Sequence, residues 1–313
     1  MRIGTIAQHA NVGPTGFNSI VDVLPGRLND YDLTLWYDFT DNSTISVAGT
    51  PTPVEIDASN MSSITDKGPN AVKANAQSFG PDTKGPSYFY NNDLDNSSKS
   101  QNFHNYGQGG LDADVLGFTN PTTFSSRAFT LVIIFDTTAE SDDGNPNDIG
   151  TVDQTLIHMV GSTSGGNLRN LRFDIAHDSS GDRLEFFIQK NDGSTFTLGN
   201  SDTKLSTVFA GTTNTNFNYA VITNNLSTDN IDFYLKGNLA SSGPLGVNEN
   251  MPAGTACKLF TRSDGIANLT NLAQSRLYEF MIFNQALTQT ELYDIDLYVK
   301  NKYNFQFGRI NGF

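Results

Sequence analysis

With 313 residues the chain has room for one large β domain or two small ones, and 33 Asp and Glu against 19 Lys and Arg set a formal charge of -14. A surface this acidic repels phosphate backbones and anionic membranes, which argues against nucleic-acid binding. Hydrophobic residues make up only 37%, but 22 Phe and 11 Tyr supply large apolar area, while the surface of Asn, Ser, Thr, Asp and Gly favours turns and strands over helices.

The N-terminus, MRIGTIAQHANVGPTGFNS, has no apolar core of a secretory signal, and no run reaches transmembrane length. The expectation is a soluble protein that neither inserts in a membrane nor follows the general secretory route. Residues 1–30 hold Gly4, Gly13, Pro14, Gly16, Pro25 and Gly26, which break any helical or strand period. They are predicted to form an extended arm, with residues 31–313 as one domain. Ile3, Ile6, Phe17, Ile20, Val21, Val23 and Leu24 in the arm need a surface, supplied by a partner subunit, by another copy of the chain or by the chain's own body.

The first predicted strand is LTLWYDF, Leu33–Phe39, with Leu33, Leu35, Tyr37 and Phe39 on one face. A loop-rich stretch follows. From Phe129 strands recur regularly: FTLVIIFD, QTLIHMVG, NLRFDIA, RLEFFIQ, FNYAVIT, IDFYLKG, ACKLFTR and LYEFMIF, separated by turn clusters such as Asn191-Asp192-Gly193-Ser194 and Lys236-Gly237-Asn238. Asn170–Ala176 with Arg183–Gln189, and Phe217–Thr223 with Ile231–Lys236, are predicted hairpins. Many strands without intervening helices imply an antiparallel sandwich or barrel. The single cysteine, Cys257, excludes an internal disulfide and lies in an apolar run that predicts a buried, inert thiol.

The chain closes on one predicted helix. Thr288-Gln289-Thr290-Glu291 forms a capping box, Leu287 and Leu292 occupy the hydrophobic-staple positions, and Leu292, Ile295 and Val299 make an apolar stripe that fits a sheet.

Taken together, LTLWYDF with Trp36 and Asp38, the Asp66-Lys67-Gly68-Pro69-Asn70 segment, the core strand FTLVIIFDT, the hairpin IDFYLKGNLA and the terminal strand and helix resemble the concanavalin A-like lectin/glucanase superfamily, in its laminin-G-like branch. The small Ser usual in the second motif is absent here, and Lys236-Gly237-Asn238 replaces Asn-Gly. The resemblance spans Leu33 to Tyr303 and implies an all-β, two-sheet antiparallel jelly-roll sandwich with one short C-terminal helix. It implies less about function, because such folds host lectins, hydrolases, adhesins and structural modules.

Glucanases of the superfamily set acids at alternate positions of one strand, E-x-D-x-E, so that they share a face. Here Glu55 and Asp57 fit the first two positions, but Ser59 and Asn60 stand where the third acid belongs, and the segment reads as a surface loop or edge strand. Glu185 and Glu279 each stand alone in their strands. Gly161-Ser162-Thr163-Ser164-Gly165 lacks a nucleophilic serine at its centre. His9, His104, His158 and His177 are scattered without zinc-site spacing. No enzymatic activity is expected.

Two candidate sites remain. Asp142, Asp143, Asn145 and Asp148 in ESDDGNPND offer hard oxygen ligands for calcium, with Asn91–Asn96 as a second loop of that kind; either is also readable as a solvated turn. Phe103, His104 and Tyr106, in QNFHNYGQGG, combine aromatic faces with flanking amides and form a candidate glycan-binding loop, or a loop packed over the sandwich.

A lectin-like sandwich without a secretory leader, acidic and nearly free of cysteine, with a partly apolar arm, fits a virion structural or adhesion protein of a bacteriophage. Capsid decoration, head fibre or knob, and tail-associated adhesin all match, each on the capsid or tail surface. The expected partners are other virion subunits through the arm, and host-surface glycans. The alternatives are a stand-alone carbohydrate-binding lectin module and, last, a polysaccharide hydrolase whose required acids are missing.

Overall fold

The computed structural model describes residues 29–55, 61–79, 82–84, 86–93, 103–108, 115–136, 154–161, 166–176, 183–199, 217–263, 269–270 and 276–303. In chain order the strands are β1 (Leu33–Asp38), β2 (Ile45–Val47), β3 (Met61–Thr65), β4 (Lys73–Phe79), β5 (Asp82–Lys84), β6 (Ser87–Asp93), β7 (Phe103–Gln108), β8 (Leu116–Thr119), β9 (Phe124–Ser125), β10 (Thr130–Asp136) and β11 (Gln154–Val160). They continue with β12 (Asn170–Ala176), β13 (Arg183–Gln189), β14 (Thr195–Leu198), β15 (Phe217–Asn225), β16 (Asn230–Leu235), β17 (Asn238–Pro244), β18 (Asn250–Met251), β19 (Ala256–Leu259), β20 (Arg262–Ser263), β21 (Leu269–Thr270) and β22 (Arg276–Phe283). One helix, α1 (Gln289–Tyr303), closes the described chain.

Two antiparallel sheets face each other. The first runs β17-β16-β15-β10-β22-β7-β6, with β1 also paired to β22; the second runs β14-β13-β12-β11-β19-β8-β4-β3-β2, with β5 on β4. Both predicted hairpins form. Asn170 pairs with Gln189 through to Ala176 with Arg183, and Ala220 pairs with Leu235 through to Asn225 with Asn230. The turn that follows β16 places Lys236 and Gly237 at φ of 53° and 79°, the paired positive angles of a type I′ hairpin turn.

The core lies between the sheets. Leu131, Ile133 and Phe135 of β10 and Leu277, Phe280 and Ile282 of β22 meet Leu171, Phe173, Leu184, Phe186 and Ile188 of the second sheet. A second apolar layer lies on the far side of the first sheet. There Val132, Ile134, Tyr278, Met281 and Phe283 receive Leu287, Leu292, Ile295, Tyr298 and Val299 of the helix segment. The helix therefore covers the outer face of the first sheet, which is why β10 and β22 are apolar on both faces, interrupted within β22 by Glu279. By contrast β13 alternates, with Leu184, Phe186 and Ile188 buried and the residues between them half-exposed.

The helix start matches its sequence signature. The Thr288 N–H donates to Glu291 Oε2 at 2.6 Å, and the Glu291 N–H donates back to Thr288 Oγ1 at 3.4 Å. Leu287 and Leu292 are both buried.

Two expectations require correction. Leu33 does not share a face with Leu35, Tyr37 and Phe39: a register shift between Leu33 and Leu35 turns it toward the helix side, beside Trp36. Phe103–Gln108 is not a loop either. It is strand β7, paired with β6 and with the start of β22.

Candidate binding face

Each sheet has an outer face, and the two carry similar residue types in opposite settings. On the first sheet, β1 and β22 pair so that Asp38 stands opposite Glu279, both under α1. Lys302, from the last turn of the helix, reaches between them, with Nζ 2.7 Å from Glu279 Oε1 and 3.0 Å from both Asp38 oxygens. Glu279 Oε2 also accepts the indole N–H of Trp36 and the hydroxyl of Tyr298, each at 2.7 Å, and Oε1 accepts the hydroxyl of Tyr303. Lys67 adds a second ammonium, 3.0 Å from Asp38 Oδ2 and 4.6 Å from the Trp36 ring centre.

Burial pushes the Asp38 carboxyl upward, but Lys302, Lys67 and the hydrogen bond from Thr40 outweigh it and hold the group down at about 2. Burial dominates at Glu279 and lifts its carboxyl above the usual range against the pull of Lys302. Two facing carboxylates with a cation could suggest acid–base chemistry, yet Asp38 is 2% and Glu279 0% exposed. A substrate has no access to them. The group is a polar fastener that ties the helix to the sheet. Sequence reasoning left Glu279 alone in its strand because its partner lies in the strand farthest from it in the sequence.

The Asp66-Lys67-Gly68-Pro69-Asn70 segment belongs to the same fastening. Asp66 Oδ1 accepts the N–H groups of Trp36 and Gly68, both at 2.6 Å, and Asn70 Nδ2 donates to the Thr34 carbonyl at 2.8 Å. A side chain at position 68 would begin 2.8 Å from Asp66 Oδ1 and would push the carboxylate away from the Trp36 N–H it accepts.

Among the described residues no helix lies on the outer face of the second sheet. Its inward residues are apolar, so the period of two sends Arg183, Glu185, Phe187 and Gln189 of β13, Asn170, Arg172 and Asp174 of β12, and Lys258 of β19 outward. Register brings them into rows. Thr155, Asp174 and Glu185 stand side by side, and so do Lys258, His158, Arg172, Phe187 and Thr197.

The rows are organised internally. The Thr155 hydroxyl donates to Asp174 Oδ1 at 2.7 Å, and Arg183 Nε donates to Glu185 Oε1 at 2.7 Å. Arg172 Nε lies 3.1 Å from Asp174 Oδ2 as an ion pair, and its guanidinium sits 4.0 Å above the Phe187 ring centre. Asn170 Nδ2 donates to Gln189 Oε1 at 2.7 Å, and Asn170 Oδ1 meets His158 Nε2 at 3.1 Å. An amide oxygen only accepts, so His158 carries its proton on Nε2. Phe187, Gln189, Glu185 and Lys258 are half-exposed, Thr195 and Thr197 exposed. This face combines an aromatic ring, amides and arginine-held carboxylates, the chemistry that the sequence reading had sought around Phe103.

Of the predicted site residues, Phe103, His104 and Tyr106 lie in β7, with their side chains outside the described residues. Asp142, Asp143, Asn145 and Asp148, residues 94–96 and residues 1–28 also lie outside the described residues, as do Asp57, Ser162 to Gly165, His9 and His177. Glu55 is exposed on a segment that is not a strand. Cys257 is buried at 1% exposure, and burial raises its thiol well above the usual range. Glu185, alone in its strand, has Asp174 of β12 across from it. The signal was present, since the hairpin and its alternation fix which residues meet.

No known family model matches the chain, and no curated protein sequence matches it. Solved structures do. The binding domain of botulinum neurotoxin serotype G aligns over 84% of this chain and 50% of its own, with a TM-score of 0.52 and 13% identity. The binding domain of Paraclostridial Mosquitocidal Protein 1 aligns over 89% of this chain and 52% of its own, again with a TM-score of 0.52 and 13% identity. The chain shares their β-sandwich fold. It spans about half the length of each. The antiparallel sandwich with a closing helix, expected from the laminin-G-like resemblance, is the fold observed.

Proposed function

We propose that this chain is a non-enzymatic, lectin-like binding module that contacts surface glycans through the outer face of its second sheet, and that it serves as an adhesion component of a virion. The observation that carries the binding reading is the clustering of Phe187, Gln189, Glu185, Arg183 and Lys258 on one sheet face that bears no described helix. Sugars are recognised by aromatic surface together with amides and charged groups that engage hydroxyls, and this face offers all three. The two structural neighbours are both named as binding domains, which supports the same reading.

Glycoside hydrolysis needs one carboxyl free to give a proton and another free to act as base or nucleophile. Of the two facing carboxylate pairs described, Asp38–Glu279 is sealed under the helix, and Asp174–Glu185 is engaged by Arg172, Arg183 and Thr155. Both arrangements favour structure or binding over turnover. The virion placement is supported by the apolar side chains spaced along residues 1–30, which suit a docking arm.

A glycan array probed with the wild-type protein and with Phe187→Ala tests the module. Glycan signal lost in the variant, with the melting temperature retained, is the expected result; a wild-type protein that binds no glycan overturns the reading. Negative-stain microscopy with bare capsids tests the placement, and a protein lacking residues 1–30 that still decorates capsids rules out the arm as the anchor.

A further inference from the structure

The outer face of the second sheet is not open throughout. His158, Arg172 and Asp174 are buried, whereas Phe187 and Gln189 of β13 are half-exposed and Thr195 and Thr197 of β14 exposed. β14 ends the described order of the sheet, and the register sets Thr197 beside Phe187 and Thr195 beside Gln189. The open ground is a corner: two residues of one strand about 7 Å apart, with their neighbours about 5 Å across. That area takes one sugar residue, not a chain of them. The corner is held from its buried side. The Arg172 guanidinium sits over the Phe187 ring, 4.0 Å from its centre, and among the described residues no other ring or cation touches that ring. Gln189 is oriented by a relay. His158 Nε2–H donates to Asn170 Oδ1 at 3.1 Å, and Asn170 Nδ2 donates to Gln189 Oε1 at 2.7 Å. With its oxygen engaged from the protein side, Gln189 offers Nε2–H donors to a ligand, and among the described residues these have no partner.

We propose that this corner is a subsite for a neutral N-acetylated sugar, whose acetamido group lies flat on the open side of Phe187 while its carbonyl accepts the Gln189 Nε2–H. This rests on the glycan-binding reading above and names its ligand class. A cation on one side of an aromatic ring draws electron density toward itself, so the opposite side favours a flat amide plane over plain C–H groups. A fixed donor selects for a strong acceptor, and an amide carbonyl is a stronger acceptor than a sugar hydroxyl. The hydroxyls of Thr195 and Thr197 can accept the acetamido N–H and meet hydroxyls of the sugar ring. A carboxylate would accept from Gln189 as well, but Glu185 stands two residues from Phe187 on the same face, in a chain with a formal charge of -14. That charge favours an uncharged ligand.

Calorimetric titration of the full chain with tri-N-acetylchitotriose and with cellotriose, which carries hydroxyls in place of the acetamido groups, tests the proposal. The acetylated trimer is expected to bind at least about tenfold tighter. Gln189→Glu keeps the acceptor for Asn170 and removes the donor, so it should bring the two affinities together. Asn75→Asp is the control: it makes the same change in charge at an exposed amide of the same sheet, on β4, away from the corner. It should leave the preference intact, and melting curves confirm that both variants fold. Equal binding of the two trimers by the wild-type protein, or a Gln189→Glu protein that keeps the preference, overturns the acetamido subsite while leaving the glycan module standing. An Asn75→Asp loss as large as that of Gln189→Glu overturns the location. No binding of either trimer overturns this inference alone if the glycan array gives signal, and the binding reading with it if the array is blank.

Discussion

The two sheets of this sandwich use the same element, a carboxylate facing a carboxylate across neighbouring strands with a cation beside it, to different ends. On the first sheet the pair Asp38–Glu279 lies beneath α1, where Lys302, Tyr298, Tyr303 and Trp36 converge on it. On the second sheet the pair Asp174–Glu185 sits on a face with no described helix, beside a half-exposed aromatic ring and two amides. Cover decides the role. Under a helix, low dielectric makes a satisfied ionic group a rigid fastener and an incomplete one costly. On the second sheet Asp174 and Arg172 are themselves buried, at 7% and 9% exposure, and it is the half-exposed Glu185, Phe187 and Gln189 beside them that remain able to meet a ligand.

The largest break in this contrast is Glu279→Ala. It leaves Lys302 facing Asp38 with fewer partners and strips acceptors from Trp36, Tyr298 and Tyr303, so a loss of about 3–5 kcal/mol is expected in chemical denaturation. Next comes acid. The Asp38 carboxyl sits lower folded than unfolded, so its contribution is complete above the ordinary carboxylate range, near pH 4, and is lost as pH falls toward about 2. The raised Glu279 carboxyl works in the opposite sense, because its protonation favours the folded state. Denaturation midpoints should therefore fall between pH 4 and pH 2 by an amount worth about 2 kcal/mol from Asp38, and Asp38→Asn should flatten that step.

Thr288→Ala removes the cap at the start of α1 and should cost about 1 kcal/mol. Smallest in stability is Phe187→Ala on the second sheet, expected within about 1 kcal/mol because the ring is only half-buried. Its effect should appear instead as lost glycan signal. A variant order reversed, with Phe187→Ala unfolding the protein and Glu279→Ala silent, breaks the comparison between the faces.

Much of this division is written in residue periodicity. The largely apolar runs of β10 and β22, interrupted in β22 by Glu279, belong to strands covered on both faces, and the alternation of RLEFFIQ belongs to a strand with one face in the core. The capping box, the staple and both hairpins were legible because each depends on residues within a few positions of one another. The fastener was not. It joins Trp36, Asp38 and Lys67 to residues 279–303, and pairing between strands so far apart in sequence leaves no local spacing to detect. The Leu33 face was misassigned because a bulge shifts the register within β1. The Asn and Gly content around Phe103 predicts a loop, while its partners β6 and β22 make it a strand. The candidate face required one further step: Glu185 acquires a partner only after the β12–β13 register is drawn.

The central claim is that ligand meets the second sheet and not the helix-covered one. Amide hydrogen exchange on the full chain, measured with and without a saturating glycan that scores on the array, addresses it directly. The account predicts new protection in β12, β13, β14 and β19, with β1, β22 and α1 unchanged. Protection confined to β1, β22 and α1, or to Phe103–Gln108, would contradict it.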